Sequence, residues 1–489
     1  MSQSITDDHL TIDFSYRPDS IRRDDQASFP IAILADFSGR RHHPASSLSL
    51  GRPLRIDCEN FEMVFAQFNV TLPLPPAKPG GDELVLRFRR LEDFHPDELL
   101  QQVGSLSQLV DLRTRLLNPA SADAAFEESR ELLGMPAAAT GQLPSNSTET
   151  TEELLTRLLG KPAAQSPQVA TAASTVENLI KRLVPPSVDP GSNLQQTQIV
   201  PLVEGELTKR LRKILHDTDF QAIEAAWRGV DFLIRGTGDQ IKSYLIDITK
   251  SELTAMLAGG DLPRTTIFKQ LQEIGPAIVL GIYTFGLQDQ SRLKTLGALA
   301  QAHHTAFVAS ASPEMVGCSS FGSQPDPDDW VHGPGLDGLD ALRRMSEAAY
   351  LGLLTPRFIL RQPYGAGSDP IETFPFEEML SQPEHESYLW GSSAVLCGYL
   401  LADAFATDGC ELDTRRGGEI FGLPMHKFTA GGEIHVKPCA EAWLSDKAAD
   451  VILNRGIMPV ASIRGRDAVE VKSLRAFSLP PKPLPVRYG

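Results

Sequence analysis

The stretch Leu211 to Gly229, LRKILHDTDFQAIEAAWRG, constrains the fold more tightly than any other part of the chain. Its apolar residues Leu211, Ile214, Leu215, Phe220, Ile223, Ala226 and Trp227 recur largely at spacings of three and four, which places them on one face of an α-helix. The period breaks after His216, at HDTD, where Asp217, Thr218 or Asp219 supplies an oxygen to cap a new helix. The stretch reads as a helix, a capped joint and a second helix. The segments VDFLIR and YLIDIT then shift to the apolar and β-branched content of strands. A helical pair feeds a sheet.

The same stretch resembles the motif that opens the globular part of the large sheath subunit of the bacterial type VI secretion system (TssC/VipB family), with His216, Phe220, Gln221, Glu224, Trp227, Arg228 and Gly229 matching. The resemblance is strongest in ALRRMSEAAYLGLLTPRFILRQPYG, where Arg343, Glu347, Tyr350, Gly352, Leu353, Pro356, Arg357, Phe358, Leu360, Arg361, Pro363, Tyr364 and Gly365 are in place. It continues through FPFEEML, SYLWGSSAVLCGYLLADAF and RRGGEIFGLPMHKF. There Trp390, Gly391 and Ala394 begin an expected buried helix, and Gly417 with Gly418 an expected flexible turn. It runs on to Gly456–Val460. Family large subunits carry a further C-terminal region, so the resemblance implies a shortened sheath-like protein.

Nearer the N-terminus, Leu10–Tyr16 alternates like a strand. FPIAILADFSGR, Phe29 to Arg40, is a continuous apolar run ending in Asp-Phe-Ser-Gly, the pattern of a buried strand entering a tight turn. Asp36 and Ser38 have no local base or metal partner, so they read as turn residues. Alternation at Leu84, Leu86 and Phe88 marks a strand, Asp93 to Pro96 starts a helix, and VGSLSQLVDLRTRLL carries a helical stripe. In order and spacing these pieces resemble the small sheath subunit (TssB/VipA family), with Asp36, Phe37 and Gly39 among its motif residues. One chain thus resembles both subunits.

With 489 residues, 42% hydrophobic and 22% charged, the chain is long enough for two to four domains with sizeable cores. Its net charge of −16 argues against broad binding to nucleic acid or to anionic membranes. The five cysteines, Cys58, Cys318, Cys397, Cys410 and Cys439, are scattered without CxxC pairing, so reduced and mostly buried thiols are expected. MSQSITDDHL lacks a signal-peptide pattern, and no apolar run reaches the roughly 18 residues of a membrane span. A cytoplasmic protein without membrane insertion is expected.

Between Gly134 and about Pro201 the chain is rich in Ala, Pro, Ser, Thr and Gln and reads as a linker. It contains two short amphipathic repeats, TEELLTRLLGKP and VENLIKRLVPPS, each preceded by a capping-box pattern, Thr150 with Glu153 and Ser174 with Glu177. In the sheath family an amphipathic helix at this position binds a Clp-type disassembly ATPase. The resemblance therefore implies a docking role for Val176, Leu179, Ile180, Leu183 and Val184. Packing of both helices on the protein's own domains is the alternative.

His303 and His304 invite a metal or general-base reading, but no HExxH or third ligand accompanies them, and they read as packing residues. Arg357 and Arg361 have the forked geometry that grips phosphate or carboxylate; in an apolar, proline-punctuated segment they are expected to pair with acids such as Glu347 or Glu377. Trp330 is the expected anchor of the Gly322–Gly338 loop. No phosphate loop, dinucleotide fingerprint, GxSxG or zinc quartet occurs, so no catalytic, cofactor or metal site is expected. The tail SLPPKPLPVRYG is a poor strand, because proline lacks the amide donor, and reads as either disordered or groove-binding.

The expected fold is mixed α/β, with sheath-type sheets packed by helices. The expected divisions are a small-subunit-like domain at 1–133, a linker at 134–200, a large-subunit-like domain at 201–478 and a proline-rich tail at 479–489. The expected function is non-enzymatic assembly with itself or other sheath subunits; the alternative is a cap, baseplate-associated part or regulatory adaptor. Inner tube protein, baseplate and the disassembly ATPase are further implied partners.

Overall fold

The computed structural model describes residues 28–42, 50–74, 84–132, 190–237, 241–331, 333–409, 413 and 416–487. The strand expected at Leu10–Tyr16 and the two amphipathic repeats of the linker lie outside them. The elements, in chain order, are β1 (Phe29–Ala35), β2 (Leu54–Ile56), α1 (Phe61–Gln67), β3 (Val70–Leu74), β4 (Leu84–Phe88), α2 (Pro96–Gln102), α3 (Gly104–Leu117), α4 (Ala122–Leu132) and α5 (Pro190–Leu215). Then come α6 (Thr218–Arg235), β5 (Ile241–Asp247), α7 (Lys250–Leu257), α8 (Thr266–Ile274), β6 (Ile278–Phe285), α9 (Gln290–Ala302), β7 (Ala306–Ala311), α10 (Pro334–Arg343) and β8 (Leu351–Thr355). The remainder are β9 (Phe358–Ile359), β10 (Trp390–Gly391), α11 (Ala394–Asp408), β11 (Arg416–Phe421), β12 (His426–Ala430), β13 (Glu433–Lys437), α12 (Asp446–Asn454), β14 (Met458–Ser462) and β15 (Ala468–Ser473).

The core is a nine-stranded mixed sheet in the order β11-β15-β14-β8-β7-β6-β1-β5-β2. From β5 to β14 the neighbours run parallel, and the outer strands β2, β15 and β11 are antiparallel. Parallel strands must be covered on both faces, which is why FPIAILA and IVLGIYTF read as nearly unbroken apolar runs. On one face Val279, Phe307 and Leu353 pack against Leu271 of α8, Leu296 of α9, Leu339 of α10 and Ile452 of α12. Alternate residues point the other way. There α11 lies so close that a Cβ on Gly398 would sit 2.6 Å from the Leu280 side chain, and Phe405 meets Phe29 with ring centroids 5.1 Å apart.

The chain forms two compact units, which differ from the expected linear division. One comprises residues 1–94, 216–363 and 379–489, and holds the sheet; the other comprises 95–215 and 364–378. The reason is β1: it inserts between β5 and β6, pairing Phe29 with Ile241 and Ile31 with Ile278, so both halves of the sequence build one sheet.

The second unit is helical. Leu106, Leu109, Leu112 and Leu116 of α3 are buried at helical spacing, as are Ile199, Val203, Leu207 and Leu211 of α5. Arg113 joins the two helices through Glu204 at 2.7 Å and donates to the Thr373 carbonyl. Asp97 accepts from the backbone of Glu372 and from the Thr373 hydroxyl. The helix α5 begins at Pro190, inside the segment expected to be linker through residue 200; its buried Ile199 extends the apolar i, i+4 series N-terminally.

Local expectations were met unevenly. The capped joint is as read: Asp217 accepts from the N–H groups of Asp219 and Phe220 and starts α6. The segment VDFLIR, expected as strand, instead completes α6, because Val230, Leu233 and Ile234 continue the buried helical face. Gly417 and Gly418, expected as a turn, lie within β11; a Cβ on Gly417 would come 1.7 Å from the Val471 carbonyl oxygen, so the close approach of β15 needs glycine. Trp390 and Gly391 form β10, and the buried helix starts only at Ala394. The tail is packed on its own fold: Leu484 is buried, and Arg487 N–H donates to Ala277 O at 3.2 Å.

Candidate functional site: the seam between the two halves of the chain

Within the sheet-bearing unit, residues 29–94 meet residues from 216 onward along an aromatic and ionic seam. Trp227, at the centre, is fully buried. Its ring lies among Phe37, Phe61, Phe65 and Phe68, with centroids 4.2 to 5.9 Å away, and its indole N–H donates to the Phe37 carbonyl at 2.9 Å. Four rings around one indole bury a large apolar area, and the N–H partner removes the cost of burying its polar edge. Phe220, about two turns earlier on the same α6 face, packs edge-on against Phe88 and Phe94. Gly229 leaves room for Val395, whose methyl would lie 3.4 Å from an added Cβ.

The Asp-Phe-Ser-Gly-Arg turn after β1 is the ionic part. Asp36 accepts from the N–H of Arg40 at 2.6 Å and from the Arg41 guanidinium at 3.0 Å. Gly39 has φ +82°, the left-handed region, and a Cβ there would come 2.4 Å from the Thr71 carbonyl oxygen. Arg40 forks onto Glu252, while Glu252 closes the capping box of α7 with Thr249. Asp247, at the end of β5, accepts from Phe37 N–H at 2.8 Å and from Ser38 Oγ at 2.6 Å. Burial pushes the Asp247 carboxyl up, against the pull of Ser38, the Phe37 N–H and Arg40. Turn residues of one half thus take their partners from the other, and a cavity of about 220 Å³ beside them is lined by Asp36, Arg41, Lys250 and Tyr283. Lys250 is paired there with Asp289 at 2.6 Å, and Arg41 with Asp36 and Asp219.

The proline-arginine motif forms structural ion pairs with partners other than those expected. Pro356 is buried, and Arg357 grips Glu441 through Nε at 2.9 Å and Nη2 at 2.6 Å, and also reaches Glu386. Arg361 pairs with Glu224 at 2.8 Å, and Arg228 holds the same oxygen at 2.7 Å. Glu347 and Glu377, the expected acids, bond instead to the Ser346 hydroxyl and the Ala366 N–H. The reason is geometric: Glu224 and Glu441 are buried acids that only folding brings beside the motif. Pro363 is buried; in the helical unit Tyr364 exchanges backbone and carboxylate bonds with Glu378, and Gly365 admits the Glu377 carboxylate. Trp390 donates to the His385 carbonyl at 2.8 Å.

His303 and His304 both fall past the end of α9, His304 at φ 54°. The His303 ring packs on Phe268, and burial lowers its pKa. Among the described residues no group of three or more His, Cys, Asp or Glu is placed to hold a metal ion. Trp330 anchors its loop, donating to the Gln324 carbonyl at 3.0 Å and meeting Phe321 edge-on. Cys318, Cys397 and Cys439 are buried free thiols and Cys58 an exposed one, while Cys410 lies outside the described residues. Val176, Leu179, Ile180, Leu183 and Val184, expected from sequence to dock a partner, also lie outside them.

Comparison with known families divides the sequence into two regions that meet along this seam. Residues 197–477 match the family described as EvpB/VC_A0108, tail sheath N-terminal domain (VipB). The chain belongs to the type VI secretion sheath family. Residues 3–134 match a second sheath family, described as type VI secretion system VipA. The type VI secretion system sheath protein TssC1 of Pseudomonas aeruginosa is 30% identical over 350 residues, covering 66% of this chain and 70% of that protein. The sheath protein TssB1 of the same organism is 29% identical over 97 residues, 19% of this chain and 56% of its own length. This sheath-family chain therefore matches both subunit families, and its seam residues join the two matched regions. Asp247, Glu252 and Glu441 were not singled out from sequence; the TKSE capping box at Thr249 was a readable signal for Glu252, whereas nothing local marked the other two.

Proposed function

We propose that this chain is a structural, non-enzymatic sheath protomer of a type VI contractile apparatus, in which both subunit-like halves pair within one molecule. It acts in the cytoplasm by assembling with its own copies or with other sheath subunits. The observation that carries this reading is the insertion of β1, from the VipA-like region, between β5 and β6 of the VipB-like region. A central strand bonded on both sides and buried on both faces is not a detachable appendage. The seam side chains support the same reading, because their charges are consumed by one another. Among the described residues no helix is long and apolar enough to cross a membrane. The amphipathic segment Val176–Val184 is, in this proposal, the contact for a disassembly ATPase.

A specific protease site inserted between residues 134 and 189 tests the pairing. After cleavage, the two pieces are expected to co-elute on native gel filtration at the mass of one chain and to separate only in denaturant. Separation under native conditions contradicts the proposal.

A further inference from the structure

The hairpin β12–β13 ends at a side-chain relay that the assembly reading does not use. Lys437, the last residue of β13, places Nζ 3.0 Å from His385 Nδ1, and His385 Nε2 lies 3.1 Å from Glu441 Oε1. Glu441 is held from the far side by the Arg357 fork, so its carboxylate is fixed and ionised. With the Nε2 proton donated to Glu441, His385 presents its Nδ1 lone pair to the lysine. An acid orients a histidine, and the histidine faces a nucleophilic atom. This is the order of groups that activates nucleophiles in acyl transfer.

The surroundings act on the ammonium form in both directions: the rings and acids favour it, burial and the Arg357 charge disfavour it. Lys437 is half-buried between the rings of Trp390 and Tyr388, 5.3 and 5.6 Å from their centroids, with Nζ also donating to the Glu441 carbonyl at 2.9 Å. Burial, with the Arg357 charge adding to it, lowers the lysine to about 8 against the opposing pull of Glu441 and Glu386. Lys437 is itself partly exposed, and the neighbouring Glu386 side chain is 72% exposed. The structural alternative is a cation that only fastens the hairpin, and the two differ in one respect: a fastening lysine is shielded by its bonds, an activated one is not.

We propose that Lys437 is a modification site, an activated amine that takes acyl groups from small acyl phosphates. In the step, the neutral Nζ lone pair attacks the acyl carbon, a C–N bond forms, and the C–O bond to phosphate breaks. Inorganic phosphate leaves with the bonding pair, and the surplus Nζ proton passes to His385 Nδ1, giving an imidazolium paired with Glu441. No oxidant or reductant is needed. The product is a neutral amide that loses its attraction to the Trp390 and Tyr388 faces, so acylation loosens the base of a hairpin carrying the exposed Ile434 and Val436.

The experiment uses the full chain with limiting acetyl phosphate at pH 7.5, reading each lysine by peptide mass. The internal control is exposed Lys427 on the same hairpin. Lys437 is expected to acetylate at least about tenfold faster than Lys427, with a rate that levels off near pH 8, to which burial lowers the lysine, and not near the ordinary lysine value of 10.5. His385→Asn should slow Lys437 and leave Lys427 unchanged. Labelling of Lys437 at or below the rate of Lys427 overturns the proposal, as does an undiminished rate in His385→Asn. If that variant fails to fold, the wild-type comparison and its pH profile decide alone.

Discussion

Trp227 Nε1 donates to the Phe37 carbonyl at 2.9 Å, joining positions 190 residues apart. The bond ties the helix that opens the second sequence half to the turn that ends β1. Both partners are buried, so neither has water as a substitute.

Replacing Trp227 with Phe keeps most of the aromatic packing but orphans the Phe37 carbonyl. The expected loss is about 1–3 kcal/mol for the buried acceptor, with Trp227→Ala losing about 3–5 kcal/mol through the cavity. Urea unfolding of the three proteins measures this. Equal midpoints would show the indole to be a passive filler.

Gly39→Ala combines a left-handed backbone with a Cβ 2.4 Å from the Thr71 carbonyl oxygen, a backbone atom that cannot swing aside. A loss of about 1–3 kcal/mol is expected from thermal melts. A neutral substitution would mean that the turn moves freely with respect to β3.

Glu441 gives a pH signature. Burial opposes its ionisation, but the His385 hydrogen bond and the Arg357 charge outweigh it and hold the carboxyl at about 2, below the ordinary 4.5. A carboxylate depressed by folding stabilises above its unfolded pKa and loses that contribution as pH falls through its folded value. The advantage of wild type over Glu441→Gln should therefore be fully present above about pH 4.5, roughly 3 kcal/mol, and vanish between there and about pH 2. An advantage independent of pH across that window would contradict the assignment. Lys437 stays protonated throughout it and adds no slope.

The tail reports on its own packing. Leu484 is buried, its methyl 3.0 Å from where a Cβ on Gly352 would lie. Leu484→Ala should cost about 2–5 kcal/mol in denaturant midpoints, while Lys482→Ala should cost little. Indifference to Leu484→Ala would return the tail to the reading of a free groove-binding segment.

How much of this was readable in advance follows the range of each interaction. The helix, joint and second helix at Leu211–Gly229 were legible because capping and the i, i+3, i+4 period are local. So were β1 and β6, whose burial on both faces leaves continuous apolar runs. The end of α6 was misread, since Val230, Leu233 and Ile234 satisfy both strand composition and helical spacing, and only the capped start and the buried face decide between them. The acids facing Arg357 and Arg361 were misassigned because Glu441 and Glu224 lie 84 and 137 residues away in sequence. Gly417 and Gly418 look like a turn until the β15 backbone is seen against them. The compact units cut across the consecutive division for one reason: no local pattern says that β1 is bonded between β5 and β6.

The most direct test of the central claim is negative-stain electron microscopy of the purified full-length chain, alone and mixed with two-subunit sheath. A single-chain sheath protomer should form tubes by itself or enter the walls of the mixed tubes. Discrete particles that neither polymerise nor associate with sheath would contradict it, and particles confined to tube ends would replace the protomer with a cap.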